Sequence, residues 1–142
     1  MSRPRALLDS DMLSEVMKGY DRNVIANSNL YVQEFGVLSF TSATVLEILH
    51  GLQSKQAHAK IRRVEAVFSQ NDEVLPDQQD YRLAAEISGA LKRRGKPIGL
   101  VDPLIAACAI RRGYGISSGN TNHFGFILEA GYTFQFENWR NQ

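Results

Sequence analysis

The sequence predicts an α/β fold: one domain with a mostly parallel central sheet flanked by helices. Short β-type runs alternate with longer stretches of helical periodicity, which is the pattern of βα units. The chain has 142 residues, the length of one ordinary domain, and can bury roughly 70% of its unfolded surface. Hydrophobic residues make up 44% and charged residues 22%, the balance of a folded soluble chain rather than a disordered one.

Residues 5–8 form a short apolar run ending at Asp9, as a buried strand does. Ser10 is a candidate cap for a helix in which Met12, Leu13, Val16 and Met17 recur at helical spacing until Gly19 stops it. A second helix is predicted over 21–35, with Val24, Ile25, Leu30, Tyr31 and Phe35 as inward candidates, and Gly36 breaks it. Residues 37–41 read as a strand, after which Ser42 caps a helix carrying Val45, Leu46, Ile48, Leu49 and Leu52. A polar helix follows over 57–68, then a strand at 73–75 ended by Pro76, then a long helix over about 77–94 closed by Gly95. Pro97 and Gly99 mark a loop, and Pro103 suits the first turn of a helix at 104–112. Gly113 and Gly115 precede a strand at 116–118, and the chain finishes with a short helix at 124–130 and a strand at 133–136.

The charge balance, 16 Lys and Arg against 15 Asp and Glu, gives +1 and excludes a strongly basic coat or an acidic tail. No apolar run approaches the roughly 18 residues of a membrane span. The opening residues lack the apolar core of a signal peptide, because Ala6-Leu7-Leu8 ends at an acid. A single cysteine, Cys108, cannot form an internal disulfide and suits a reducing compartment, so a cytoplasmic protein is expected.

Ligand crevices of open α/β sheets lie beyond the carboxyl ends of the strands, and acids fall at those places here. Asp9 follows the first strand, with Asp11 two residues later; Glu47 lies among Val45, Leu46, Ile48 and Leu49; Asp102 opens a helix mouth. Gathered carboxylates suit a hard cation such as Mg²⁺, which takes oxygen ligands and supports phosphodiester hydrolysis. Zinc is disfavoured, since His50, His58 and His123 show no paired spacing and Cys108 is alone. Each acid also has a plainer role: Asp9, Asp11 and Asp102 as helix caps or first-turn acids, Glu47 as a side chain reaching solvent.

Around these residues the sequence resembles the PIN-domain ribonucleases, and specifically the VapC toxins of prokaryotic toxin–antitoxin pairs. Leu7-Leu8-Asp9-Ser10-Asp11-Met12-Leu13-Ser14 is similar to the family's opening, and Thr44-Val45-Leu46-Glu47-Ile48-Leu49-His50-Gly51 to its second motif. Pro97-Ile98-Gly99-Leu100-Val101-Asp102-Pro103-Leu104-Ile105-Ala106-Ala107 resembles the third, Ser118-Gly119-Asn120-Thr121-Asn122-His123-Phe124 the fourth, and Glu137-Asn138-Trp139 a common ending. Each motif is short, but four in order at family spacing are specific. The resemblance implies that Asp9, Glu47 and Asp102 are the acidic core of a Mg²⁺ or Mn²⁺ site, with Asp11 as a fourth carboxylate or an outer contact. It implies that Ser118 and Asn120 hold phosphate or metal-associated water. His123 stands where many members carry Asp or Glu.

The implied activity is metal-assisted hydrolysis of RNA by water, with Asp9 and Asp102 as ligands and Glu47 as ligand or base. Candidate RNA contacts are Arg93 and Arg94 with Lys92 and Lys96, then Arg111-Arg112, and Lys60 with Arg62-Arg63; solvated helix faces and helix C-terminal dipole partners account for most such clusters. The family also implies a homodimer and a cognate antitoxin, for which residues 13–35 and 45–68 offer apolar helical surface. Two other readings fit the sequence: an inert PIN-like interaction module, and a housekeeping RNA-processing nuclease without an antitoxin.

Overall fold

A computed structural model describes residues 3–141. The chain runs β1 (Ala6–Leu8), α1 (Ser10–Lys18), α2 (Arg22–Phe35), β2 (Ser39–Thr41), α3 (Ser42–Ser54), α4 (His58–Ser69) and β3 (Asp72–Val74). It continues α5 (Gln78–Arg93), α6 (Val101–Arg112), β4 (Gly115–Ser117), α7 (Thr121–Glu129) and β5 (Phe136–Glu137). The strands pair in parallel in the order β3-β2-β1-β4-β5.

β1 is central, and its three residues are buried on both faces, as a parallel strand between helical layers requires. Its alternation divides the core. Leu7 points to one side, into a cluster with Ile87, Leu91, Ile105, Ile116 and Phe124. Ala6 and Leu8 point to the other, among Met12, Leu13, Val24, Tyr31, Phe40 and Trp139. Helices α5, α6 and α7 supply the first cluster, while α1 to α4 and the C-terminal Trp139 supply the second.

Several boundaries differ from the sequence prediction for identifiable reasons. Asp9, not Ser10, caps α1: it has extended backbone and its carboxylate accepts from the Met12 amide. Thr41 rather than Ser42 caps α3 in the same way. α6 begins at Val101, so Asp102 lies inside its first turn rather than at its cap. α7 starts at Thr121 instead of 124, and β5 covers only Phe136–Glu137. On α2 the buried stripe is Val24, Ser28 and Tyr31; Ile25 and Leu30 sit off that stripe and are exposed.

Among the described residues, no helix is long and apolar enough to cross a membrane.

Candidate active site

The chain leaves β1 for β2 and β3 on one side of the sheet, then crosses to β4 on the other. The order therefore reverses at β1 and β4, and their carboxyl ends form a crevice. There lies a cavity of about 390 Å³ lined by Asp9, Ser10, Asp11, Glu47, Asp102, Asn120 and His123, with residues 98–101 as its apolar side. The four acids singled out in the sequence thus share one cavity, although up to 93 positions separate them.

Asp9 is buried, at 4% exposure. Its Oδ1 accepts from the Met12 amide at 2.9 Å and its Oδ2 from the Ser118 hydroxyl at 2.5 Å. Burial pushes its pKa up to about 6 against the pull of these hydrogen bonds, and the nearby charges of Asp11 and Asp102 add to the rise. Asp102 Oδ2 accepts from Asn120 Nδ2 at 3.1 Å and lies 2.8 Å from His123 Nδ1. His123 Nδ1 is also 2.8 Å from Asn120 Nδ2. One ring nitrogen cannot both donate to the carboxylate and accept from the amide, so only one of these two contacts of Nδ1 is a hydrogen bond at a time.

Glu47 is exposed. The puzzle of an acid among four apolar residues resolves by helical geometry: Ile48 is buried, while Leu46 and Glu47 face outward. Its Oε1 accepts from the Ser10 hydroxyl at 3.0 Å, which holds it beside the cavity. Asp11, half-exposed, is gripped by Arg140 through a two-point contact at 2.9 and 3.1 Å. Sequence reasoning missed this partner, because 129 positions separate the two and nothing local links them.

Other predicted contacts fall differently. Ser118 is fully buried, and its hydroxyl serves Asp9 and the Asn120 amide (2.8 Å) rather than facing a ligand. Asn120 is turned to Asp102 and His123. Arg93 and Arg94 are exposed at the end of α5 and do not line the cavity. Arg111 and Arg112 bind Asp77 and Asp80 instead of projecting freely.

Hard oxygen donors around a buried, reluctantly ionised carboxylate suit a hard divalent cation in kind. As they stand, no three His, Cys, Asp or Glu side chains among the described residues are gathered closely enough to hold one. Asp102 engages its amide and imidazole neighbours through Oδ2, which leaves Oδ1 as its oxygen for an ion.

The chain is 29% identical over 123 residues to a tRNA(fMet)-specific endonuclease VapC from Shigella flexneri, covering 83% of this chain and 88% of that one. Its fold matches DNA-bound VapBC from Salmonella typhimurium with a TM-score of 0.80 at 23% identity, over 96% of this chain and 98% of the other. FitAcB from Neisseria gonorrhoeae matches with a TM-score of 0.78 at 21% identity, over 96% and 99%. The PIN domain family matches residues 6–122, a span that runs from β1 into α7 and contains all four cavity acids, and the chain belongs to that family.

Proposed function

We propose that the chain is a metal-dependent endoribonuclease, the toxin of a type II toxin–antitoxin pair. The observation that carries this reading is the shared cavity of Asp9, Asp11, Glu47 and Asp102 at the sheet's switch point. Asp9 and Asp102 would hold Mg²⁺, or Mn²⁺, with Glu47 as a further ligand or as the base that takes a proton from the attacking water. The cation would supply Lewis-acid stabilisation of charge on the phosphoryl oxygens. Ser118 and the Met12 amide fix Asp9, Asn120 orients Asp102, and Ser10 aims Glu47. Water would attack phosphorus as Glu47, in the role of base, takes its proton, and the bond to the leaving oxygen would break with that oxygen taking a proton from solvent.

The tRNA specificity of the Shigella relative supports tRNA as the first RNA to try. A groove of about 910 Å³ between α1, α3 and α4 supports an antitoxin partner. It is floored by Met17, Ile48, Leu52, Val64 and Val67, edged by Lys18, Lys55, Lys60 and Arg63, and shares Ser10, Asp11 and Glu47 with the cavity. A segment with apolar and acidic residues fits it; of residues 13–35, Ser14, Met17, Lys18 and Tyr20 line it and α2 does not. A homodimer and a cytoplasmic setting complete the proposal.

The test is cleavage of a tRNA-containing RNA pool by antitoxin-free protein, with Mg²⁺, Mn²⁺ or EDTA, beside Asp102→Ala. Metal-dependent cutting that falls by about 100-fold or more in the variant is expected. Folded wild-type protein that never cuts would favour the inert interaction module.

A further inference from the structure

The backbone around Arg140 is held by several contacts. Trp139 beside it is 1% exposed and packs 5.5 Å from the Tyr31 ring. Asn23 donates to the Arg140 carbonyl at 2.7 Å, and Asn27 donates to those of Trp139 and Asn141 at 3.0 and 3.3 Å. The Arg140 amide donates to Asn138 Oδ1 at 3.0 Å. So anchored, the guanidinium grips Asp11 at two points and reaches Glu15 at 3.4 Å.

It does so directly over the backbone of Gly119. A Cβ there would collide with Arg140 Nη1 and come within 2.6 Å of Asp11 Oδ2, so glycine lets the guanidinium lie in this position. The flanking residues are Ser118, which holds Asp9, and Asn120, which holds Asp102. The anchored cation therefore sits against the loop that orders the two innermost acids.

The ion pair itself is accessible: the side chains are 30% and 50% exposed. An exposed pair stabilises little, so the anchoring is out of proportion to a purely structural role. A cavity with four carboxylates repels a polyanion, and a cation at its edge offsets part of that repulsion beyond what an ion in the cavity supplies. The planar fork that fits a carboxylate at two points fits a phosphate equally well.

We infer that Arg140 is a positioning residue that takes a backbone phosphate of the RNA, and that Asp11 is its counter-ion in the free protein rather than a metal ligand. The inference rests on the nuclease reading. RNA displaces the Asp11 carboxylate, and the guanidinium exchanges one anion for another without moving its anchors.

The experiment measures binding of a labelled tRNA transcript to the cleavage-deficient parent Asp102→Ala across a salt series, with thermal melts alongside. Adding Arg140→Ala should weaken binding about tenfold and reduce the slope of log Kd against log salt by about one. Arg140→Lys should keep the slope and lose part of the affinity. Asp11→Asn should tighten binding in the parent and do nothing once Arg140 is gone. With Asp102 intact, Arg140→Ala should raise KM more than it lowers kcat. An unchanged salt slope in folded Arg140→Ala overturns the inference and returns the pair to a structural role. If that variant does not fold, Gly119→Ala displaces the guanidinium but keeps its tail anchors, and an unchanged slope there overturns the inference as well. Cleavage lost in Asp11→Asn with RNA affinity unaltered would make Asp11 a ligand and also overturn it. A parent that shows no salt-dependent RNA binding sinks both readings; a slope indifferent to Arg140 sinks only this one.

Discussion

Asp9 combines two demands that conflict. As the cap of α1 it accepts from the Met12 amide, and as a cavity acid it is buried near Asp11 and Asp102. Its native pKa of about 6 lies above the usual carboxylate value of 3.8, so the folded state holds a proton that the unfolded state has lost between those pH values. Stability from this group is therefore greatest below that window and falls as pH rises through about 6. Asn can cap the helix and still bond Ser118, so Asp9→Asn should stabilise the metal-free protein by about 1–2 kcal/mol at pH 8 and much less at pH 5. Urea unfolding in EDTA at both pH values checks this; a gain independent of pH would show that ionisation is not the source. Asp9 and Asp102 were legible as candidates because acids after a strand end or at a helix mouth are chemically conspicuous, and Glu47 because it is an acid among Val45, Leu46, Ile48 and Leu49. Ser10 as the holder of Glu47, and Arg140 as the holder of Asp11, were not, because side-chain pairing across 37 and 129 positions has no local signature.

The helices show where local chemistry suffices and where it does not. Asp77 and Asp80 close a reciprocal capping box at the start of α5, a signal wholly within one turn. Only packing reveals that Asp80 is also fully buried against α6, receiving Arg111 at 2.9 Å and Arg112 at 2.9 Å. Burial would raise its pKa, but the Arg112, Asp77 and Arg111 hydrogen bonds outweigh this and hold it well below the usual carboxylate range. A depressed native pKa contributes stability that is present above the unfolded value and lost as pH falls towards the native one. Asp80→Asn should cost about 3 kcal/mol at neutral pH, since it leaves two arginines short of their partner. It should also flatten acid unfolding below about pH 4, followed by circular dichroism. Equal acid sensitivity in the variant would mean that other carboxylates set the acid limit. Cys108, on the same helix pair, has its thiol pushed up to about 12 by burial and by the Asp80 charge, so it should resist alkylation until the protein unfolds.

At the scale of the whole molecule, the site exists because β1 sits between β2 and β4. Mg²⁺ binding only the folded state should raise the melting temperature of wild-type protein, by an amount equivalent to about 1.4 kcal/mol at tenfold excess over Kd. Asp9→Asn should abolish most of that rise, and an undiminished rise would place the ion elsewhere. The sequence by itself determined the α/β alternation, the approximate elements, and the family signature around the acids. These depend on periodicity, turn residues and short-range spacing, all of which are local. Tertiary structure alone decided which strand is central, that α7 begins early enough to bring Asn120 and His123 onto Asp102, and that the C-terminal tail returns to lay Arg140 on Asp11. Those outcomes depend on long-range packing, such as Trp139 entering the core beside Tyr31, where the gain comes from burying surfaces that no window of sequence contains together.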